Sequence, residues 1–338
     1  MNKIKNLQRE CLLWEVDLVS GRLKNVAPTD HHKVMLGPID ELDLKSMTLV
    51  PYCFDFQSFE IFYSIEINAF EASRAVFHYR FLREKTKKMV SVPWEVRLNE
   101  GSGKNCEPFF IFSPGRCGST LLCKLLSAMG AVAISEPDIY TQAVFFCLQE
   151  LNSKSDISHV PSMLKLITDD LSKPLLSNDA KTIVLKMRAE ANFFPEVLLS
   201  VCDTRPKTIF IIRNFCEWAE SWIKVFRVSA IDCLEIYTQS LRCYEYLRKN
   251  SDCFLIKYED LQMENKVLLD ELAEFLSLKN SVDLSAVFEK DSQEGSHLQR
   301  ANYQGSISSV NRESLRMLWK LKMPTELLEL NNLSYLKC

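Results

Sequence analysis

The sequence predicts an α/β protein, a parallel β-sheet flanked by helices on both faces, with an extra N-terminal region. Four short apolar runs carry the prediction: Phe109–Phe112, Thr182–Leu185, Thr208–Ile212 and Cys253–Lys257. Each has the length and β-branched or aromatic character of a buried strand. Stretches of helical periodicity lie between them, and strands alternating with helices argue for a parallel sheet. Polar or charged residues, Arg116, Lys186, Arg213 and Tyr258, stand at or just beyond the ends of the four runs. Ligands of such sheets bind beyond the carboxyl ends of the strands.

The first 104 of the 338 residues precede the first of these strands and are read as an N-terminal region of unknown role, followed by a ligand-binding domain over 105–338. Residues 54–96 are rich in aromatics, and Ala69–Glu84 reads as one helix with Phe70, Phe77 and Phe81 partly on one face. Such an aromatic stripe is core material more often than a ligand box. Lys85–Lys88 reads as a solvated turn. The segment NEGSGKNC, Asn99–Cys106, has the glycine and polar content of a linker, and the boundary is placed there.

The richest stretch is Pro108–Tyr140. After the strand comes Ser113-Pro114-Gly115-Arg116-Cys117-Gly118-Ser119-Thr120, and then Leu121, Leu122, Leu125, Leu126 and Met129 at helical spacing. Strand, glycine turn and helix present free backbone N–H groups and the positive end of a helix dipole to an anion. Gly115 and Gly118 let the backbone approach that anion closely. Arg116 adds a planar cationic fork, and Ser119 and Thr120 add hydroxyl donors. The stretch lacks the G-x-x-x-x-G-K-[ST] pattern of nucleotide triphosphatases, because Ser119 follows the second glycine where that pattern has Lys.

Further along, Tyr140–Leu151, Met163–Leu171 and Ala191–Cys202 read as helical, and a long helical stretch over Cys216–Asn250 breaks near Ser229. Lys266–Leu278 is amphipathic. Composition sets the background: 47% hydrophobic and 25% charged residues fit an ordinary folded protein with a sizeable core. A net charge of −3 gives no reason to expect a nucleic-acid partner, so any anion site is local. The 12 cysteines show neither C-x-x-C nor zinc spacing, and no metal is expected. The N-terminus lacks the apolar core of a signal peptide, and no run of about 18 apolar residues suggests a membrane span. Reduced thiols and a cytoplasmic location are the expectation.

In order, these motifs resemble those of the sulfotransferases that use 3′-phosphoadenosine 5′-phosphosulfate (PAPS), over roughly Glu107–Trp319. SPGRCGSTLL resembles the family's 5′-phosphosulfate loop in its tyrosylprotein and glycan branches, where Arg replaces the Lys of the cytosolic enzymes. IIRNFCEWAESW resembles the 3′-phosphate motif, with Arg213 at a strand end and Ser221 eight residues on. IKYEDL is similar to the segment that supplies an adenosine-side tyrosine, here Tyr258. The resemblance implies the P-loop sulfotransferase fold, with Gly115, Arg116, Cys117, Gly118, Ser119, Thr120, Arg213, Ser221 and Tyr258 binding PAPS or its product, 3′,5′-bisphosphoadenosine (PAP). In the tyrosylprotein branch a Glu about 20 residues past the loop Arg serves as base, and Glu136 lies 20 beyond Arg116. A carboxylate there can take the acceptor's proton. Lys186 matches the strand-end lysine that steadies charge on the bridging oxygen. NYQGSISSVN resembles the loop that closes over the cofactor and implies contacts from Ser306 and Ser308.

The implied activity is transfer of a sulfuryl group to a hydroxyl- or amine-bearing acceptor, whether small molecule, glycan or protein. Arg116, Lys186 and the loop N–H groups supply the positive field, so no metal is required. Two other readings stand beside it: a P-loop kinase of a small metabolite, and a catalytically silent domain that binds nucleotide or a partner.

Overall fold

The computed structural model describes residues 10–18, 31–56, 58–99, 107–152, 157–176, 182–279, 283–296, 298–299, 311–329, 333 and 336. In chain order the N-terminal region holds β1 (Cys11–Leu18), β2 (His31–Ile39), α1 (Glu41–Ser46), β3 (Val50–Asp55), β4 (Glu60–Ile65), α2 (Ala69–Arg74), α3 (His78–Lys85), β5 (Lys88–Pro93) and α4 (Trp94–Asn99). Then come β6 (Phe109–Phe112), α5 (Ser119–Ala128), β7 (Val132–Ser135), α6 (Asp138–Asn152), α7 (Val160–Ser172), β8 (Ile183–Lys186), a 3₁₀ turn (Ala189–Phe193) and α8 (Pro195–Leu199). The chain continues through β9 (Lys207–Ile212), α9 (Phe215–Phe226), α10 (Ala230–Asn250), β10 (Asp252–Lys257), α11 (Tyr258–Gln262), α12 (Lys266–Leu276), α13 (Ser285–Phe288), α14 (Arg312–Lys322) and α15 (Thr325–Glu329).

The expected parallel sheet is present, with strand order β10-β9-β6-β8-β7 and every pair parallel. Phe110, Ile111 and Phe112 of its central strand have no exposed surface, as a strand covered on both faces requires. The chain leaves β6 toward one edge and later crosses to the other, so the direction of strand order reverses at β6. In open α/β sheets the crevice at such a switch point is where ligands bind. The strand β7 completes the sheet. Its four buried residues follow Gly130, whose φ of +100° turns the chain out of α5.

The N-terminal region contains a second sheet, antiparallel, in the order β2-β1-β5-β4-β3. Phe54, Ile61, Tyr63, Val90 and Val92 from this sheet belong to one apolar core with β6, β8 and α6. Polar ties hold the same junction. Gln142 of α6 exchanges hydrogen bonds with the main chain of Phe54 at 2.8 and 2.7 Å. The Tyr63 hydroxyl donates to Asp170 of α7 at 2.6 Å, and Arg97 forms an ion pair with the same carboxylate. Removing one partner from a buried pair of this kind costs about 3–5 kcal/mol.

Several expectations need correction. Ala69–Glu84 is two helices, because Ala75 takes an extended conformation and Phe77 another (φ −136°, ψ 111°). The break leaves Phe70 47% exposed and buries Phe77. Residues 85–88 are not a solvated turn: Thr86 is buried, its hydroxyl bonded to Ser64 at 2.7 Å, and Lys88 opens β5. Ala191–Cys202 is a 3₁₀ turn and a short helix, since Pro195 cannot continue the preceding turn and starts a new one. Nine cysteines among the described residues are in no disulfide, but Cys216 is disulfide-bonded, which departs from thiols throughout. Among the described residues no helix is long and apolar enough to cross a membrane.

Candidate active site

The glycine turn leaves β6 with three irregularities close together. Gly115 and Gly118 have φ of +77° and +78°, and Arg116 between them has φ of +53°, a region that side-chain-bearing residues seldom adopt. The turn is pinned from outside. Trp218 of α9 donates its indole N–H to the Gly115 carbonyl at 2.7 Å, and Asn192 donates to the Ser113 carbonyl at 2.9 Å. Gly118 is sterically required, because a Cβ there would lie 2.7 Å from the Tyr258 ring. It caps α5, whose first-turn N–H groups have no intrahelical acceptors and open toward the turn.

A cleft of about 350 Å³ opens over this turn. Of the residues singled out in the sequence, Gly115, Arg116, Gly118, Ser119, Thr120, Glu136 and Lys186 line it. Cys117 does not: it is buried, its thiol donates to the Gly115 carbonyl at 3.1 Å, and burial pushes that thiol's pKa far up. Arg213, Ser221 and Tyr258 stand beside the cleft rather than in its lining. Ser306 and Ser308 lie outside the described residues.

At one side of the cleft Glu136 and Lys186 face each other from the ends of neighbouring strands. The two strands run in register, with Ser135 opposite Lys186. The Glu136 N–H donates to the Lys186 carbonyl at 2.8 Å, and the Lys186 ammonium forms an ion pair with the Glu136 carboxylate. Glu136 has φ of +57°. A backbone held there costs on the order of 1–3 kcal/mol and persists where the surroundings over-determine it. Here the main-chain bond to Lys186 and Pro137 immediately after it fix the turn.

Arg116, in the same lining, donates to the Ser221 hydroxyl at 3.2 Å and to the Gln293 side chain at 2.9 Å. Arg213 stacks its guanidinium on the Tyr258 ring at 4.6 Å and reaches Glu217 at 3.2 Å. Its Nε is buried with no hydrogen-bond acceptor among the described residues, and the indole N–H of Trp222 is in the same condition. Two orphaned buried donors next to a glycine turn fit an anionic ligand.

Sequence reasoning missed Phe77, Tyr79, Arg188, Trp222, Phe226 and Gln293, all of which line the cleft. Arg188 follows Lys186 by two residues, so the alternation of a strand end could have flagged it. Nothing local marks the others. None of the histidines described with side chains is placed to act as a base in this cleft. His78 is buried beside it and burial lowers its pKa to about 4, while His159 packs among Phe59, Trp94 and Phe146. Among the described residues no group of three or more His, Cys, Asp or Glu is arranged to hold a metal.

A family model described as "Sulfotransferase domain" matches residues 107–332. No curated protein matches the chain. Among solved structures, the sulfotransferase domain from the curacin biosynthetic pathway is 16% identical, covers 67% of this chain and 96% of its own, and gives a TM-score of 0.43. A sulfotransferase from Mycobacterium avium is 10% identical, with 78% and 83% covered and a TM-score of 0.42. A mouse sulfotransferase complexed with PAP is 13% identical, with 70% and 90% covered and a TM-score of 0.34.

Proposed function

The chain belongs to the sulfotransferase family, and from that premise we propose that it transfers a sulfuryl group from PAPS to a hydroxyl or amine of its acceptor. The observation that carries the proposal is the Glu136–Lys186 pair, set in the wall of the same cleft as the glycine turn. The residues present suit the donor. The turn Gly115–Thr120 and Arg116 suit its 5′ end, and Arg213 with Ser221 suit a 3′-phosphate through charge-assisted hydrogen bonds. Tyr258 offers a face to the adenosine side. When bound, PAPS supplies an activated sulfuryl group and a bisphosphate leaving group.

The chain's own residues then do the following. Glu136 takes the proton from the acceptor hydroxyl at its carboxylate oxygen. Protonation removes the negative partner of Lys186, so the ammonium charge becomes available to the leaving oxygen at the moment charge develops there. Arg116 and the N-terminal N–H groups of α5 hold the remaining negative charge in place. Walls that exclude water strengthen each of these interactions.

The test is transfer of labelled sulfate from PAPS, in EDTA, to a panel of phenols, alcohols and amines. Transfer by the wild type and its loss in Glu136→Gln is the expected result. Failure to release PAP with every acceptor at saturating donor would overturn the proposal.

A further inference from the structure

The family match begins at residue 107, yet one wall of the cleft comes from the N-terminal region, through Phe77 and Tyr79 at the start of α3. Their rings lie 5.9 Å apart. The Lys186 ammonium sits 5.7 Å from the centre of the Phe77 ring. Tyr79 is held between two guanidinium groups, with Arg83 at 5.1 Å and Arg188 at 5.2 Å from its ring. Both arginines bond Asp138, Arg83 at 2.5 Å and Arg188 at 2.8 Å, and Arg188 also reaches Glu190 at 3.0 Å. The ring is therefore fixed before any ligand arrives, and the charges around it are already matched.

We infer that Phe77 and Tyr79 determine acceptor specificity, forming the wall against which the acceptor's body packs, and that the acceptor carries its hydroxyl on an aromatic ring. The inference rests on PAPS being the donor. With the donor on the glycine turn, the acceptor oxygen must still reach Glu136, and Phe77 and Tyr79 stand at that end of the cleft, Phe77 by Lys186 and Tyr79 by Arg188. Trp222, which stands against Gly115 of the turn, and Phe226, 43% exposed, also line the cleft. Four aromatic rings in one lining favour an aromatic body. Arg188, the cation beside Tyr79 in the cleft lining, is committed to two carboxylates, so an anionic acceptor gains little there. A sugar, with hydroxyls on every side, would leave them facing rings that offer few partners.

The experiment compares wild type with Tyr79→Ala, using 2-naphthol as acceptor and the PAP-induced thermal shift as the donor readout. The expected result is a KM for 2-naphthol raised at least about tenfold, with the PAP shift unchanged. Should Tyr79→Ala not fold, Tyr79→Leu, which keeps bulk without a ring, is read in its place. A normal PAP shift with an unchanged KM overturns this inference alone, as does a glucoside used better than 2-naphthol by the wild type. Absence of any PAP shift in the wild type overturns the donor reading and this inference with it.

Discussion

Glu136 and Lys186 are joined twice, once through their side chains and once through the main chain, where the Glu136 N–H donates to the Lys186 carbonyl at 2.8 Å. The double link sets the carboxylate at the end of β7 against the ammonium at the end of β8. Lys186 is buried, with its side chain 5% exposed, and that carboxylate is the counter-charge beside it. A proton arriving on Glu136 therefore changes the electrostatics of the whole end of the cleft.

Glu136→Gln keeps the main-chain bond and the side-chain shape but removes the base. Turnover is expected to fall by roughly 10²- to 10⁴-fold, the usual worth of a positioned general base. PAP affinity should not fall, because the amide leaves the Lys186 ammonium free to meet the product's oxygen. Steady-state kinetics with a saturating acceptor, beside calorimetric PAP titration, separate the two effects.

Arg213→Ala removes a half-buried guanidinium and its stacking on Tyr258. Hydrogen bonds to charged groups contribute about 1.5–3 kcal/mol each, so a PAP dissociation constant raised about 10- to 100-fold is expected. ATP affinity, measured in the same titration, should fall much less, because ATP lacks a 3′-phosphate.

Gly118→Ala puts a Cβ 2.7 Å from the Tyr258 ring at a φ of +78°. The turn must shift, and PAP binding is expected to be lost. Gly130→Ala is the matched control, with φ of +100° but nothing within 4 Å of the added Cβ. It should lower the melting temperature yet leave PAP affinity intact.

His78 gives a pH dependence whose sign can be worked out. Burial lowers its pKa from 6.5 to about 4, so the unfolded chain binds the proton more readily. Its stabilising effect is therefore full above pH 6.5 and is lost as pH falls from there toward 4. Between pH 7.5 and 5.0 that loss amounts to about 2 kcal/mol. Urea unfolding at the two pH values, for wild type and His78→Asn, should show a pH dependence smaller by about that amount in the variant.

Much of the parallel sheet was legible because its strands are short unbroken apolar runs with a charge at or near the carboxyl end, as at Lys186 and Arg213. The turn was legible because Gly115 and Gly118 sit between a strand and a leucine-rich helix. The antiparallel sheet was not, since its strands mix aromatic, polar and glycine or proline residues without clean alternation. The break at Ala75 has no proline or glycine to announce it. Pro195, by contrast, was visible and should have split Ala191–Cys202. Phe77 and Tyr79 could not be assigned to the cleft from sequence, because their place there depends on how the N-terminal sheet docks on α6 and α7. That docking rests on contacts such as Tyr63 with Asp170, which lie 107 residues apart.

The most direct measurement is a thermal-shift titration with PAP in EDTA, run beside ATP with magnesium. A ligand that binds only the folded state stabilises it by about 2.7 kcal/mol at 100 times its dissociation constant. The expected result is a clear rise with PAP in the absence of metal, abolished or strongly reduced in Arg213→Ala. A rise with ATP and magnesium and none with PAP would contradict the assignment and favour phosphoryl transfer.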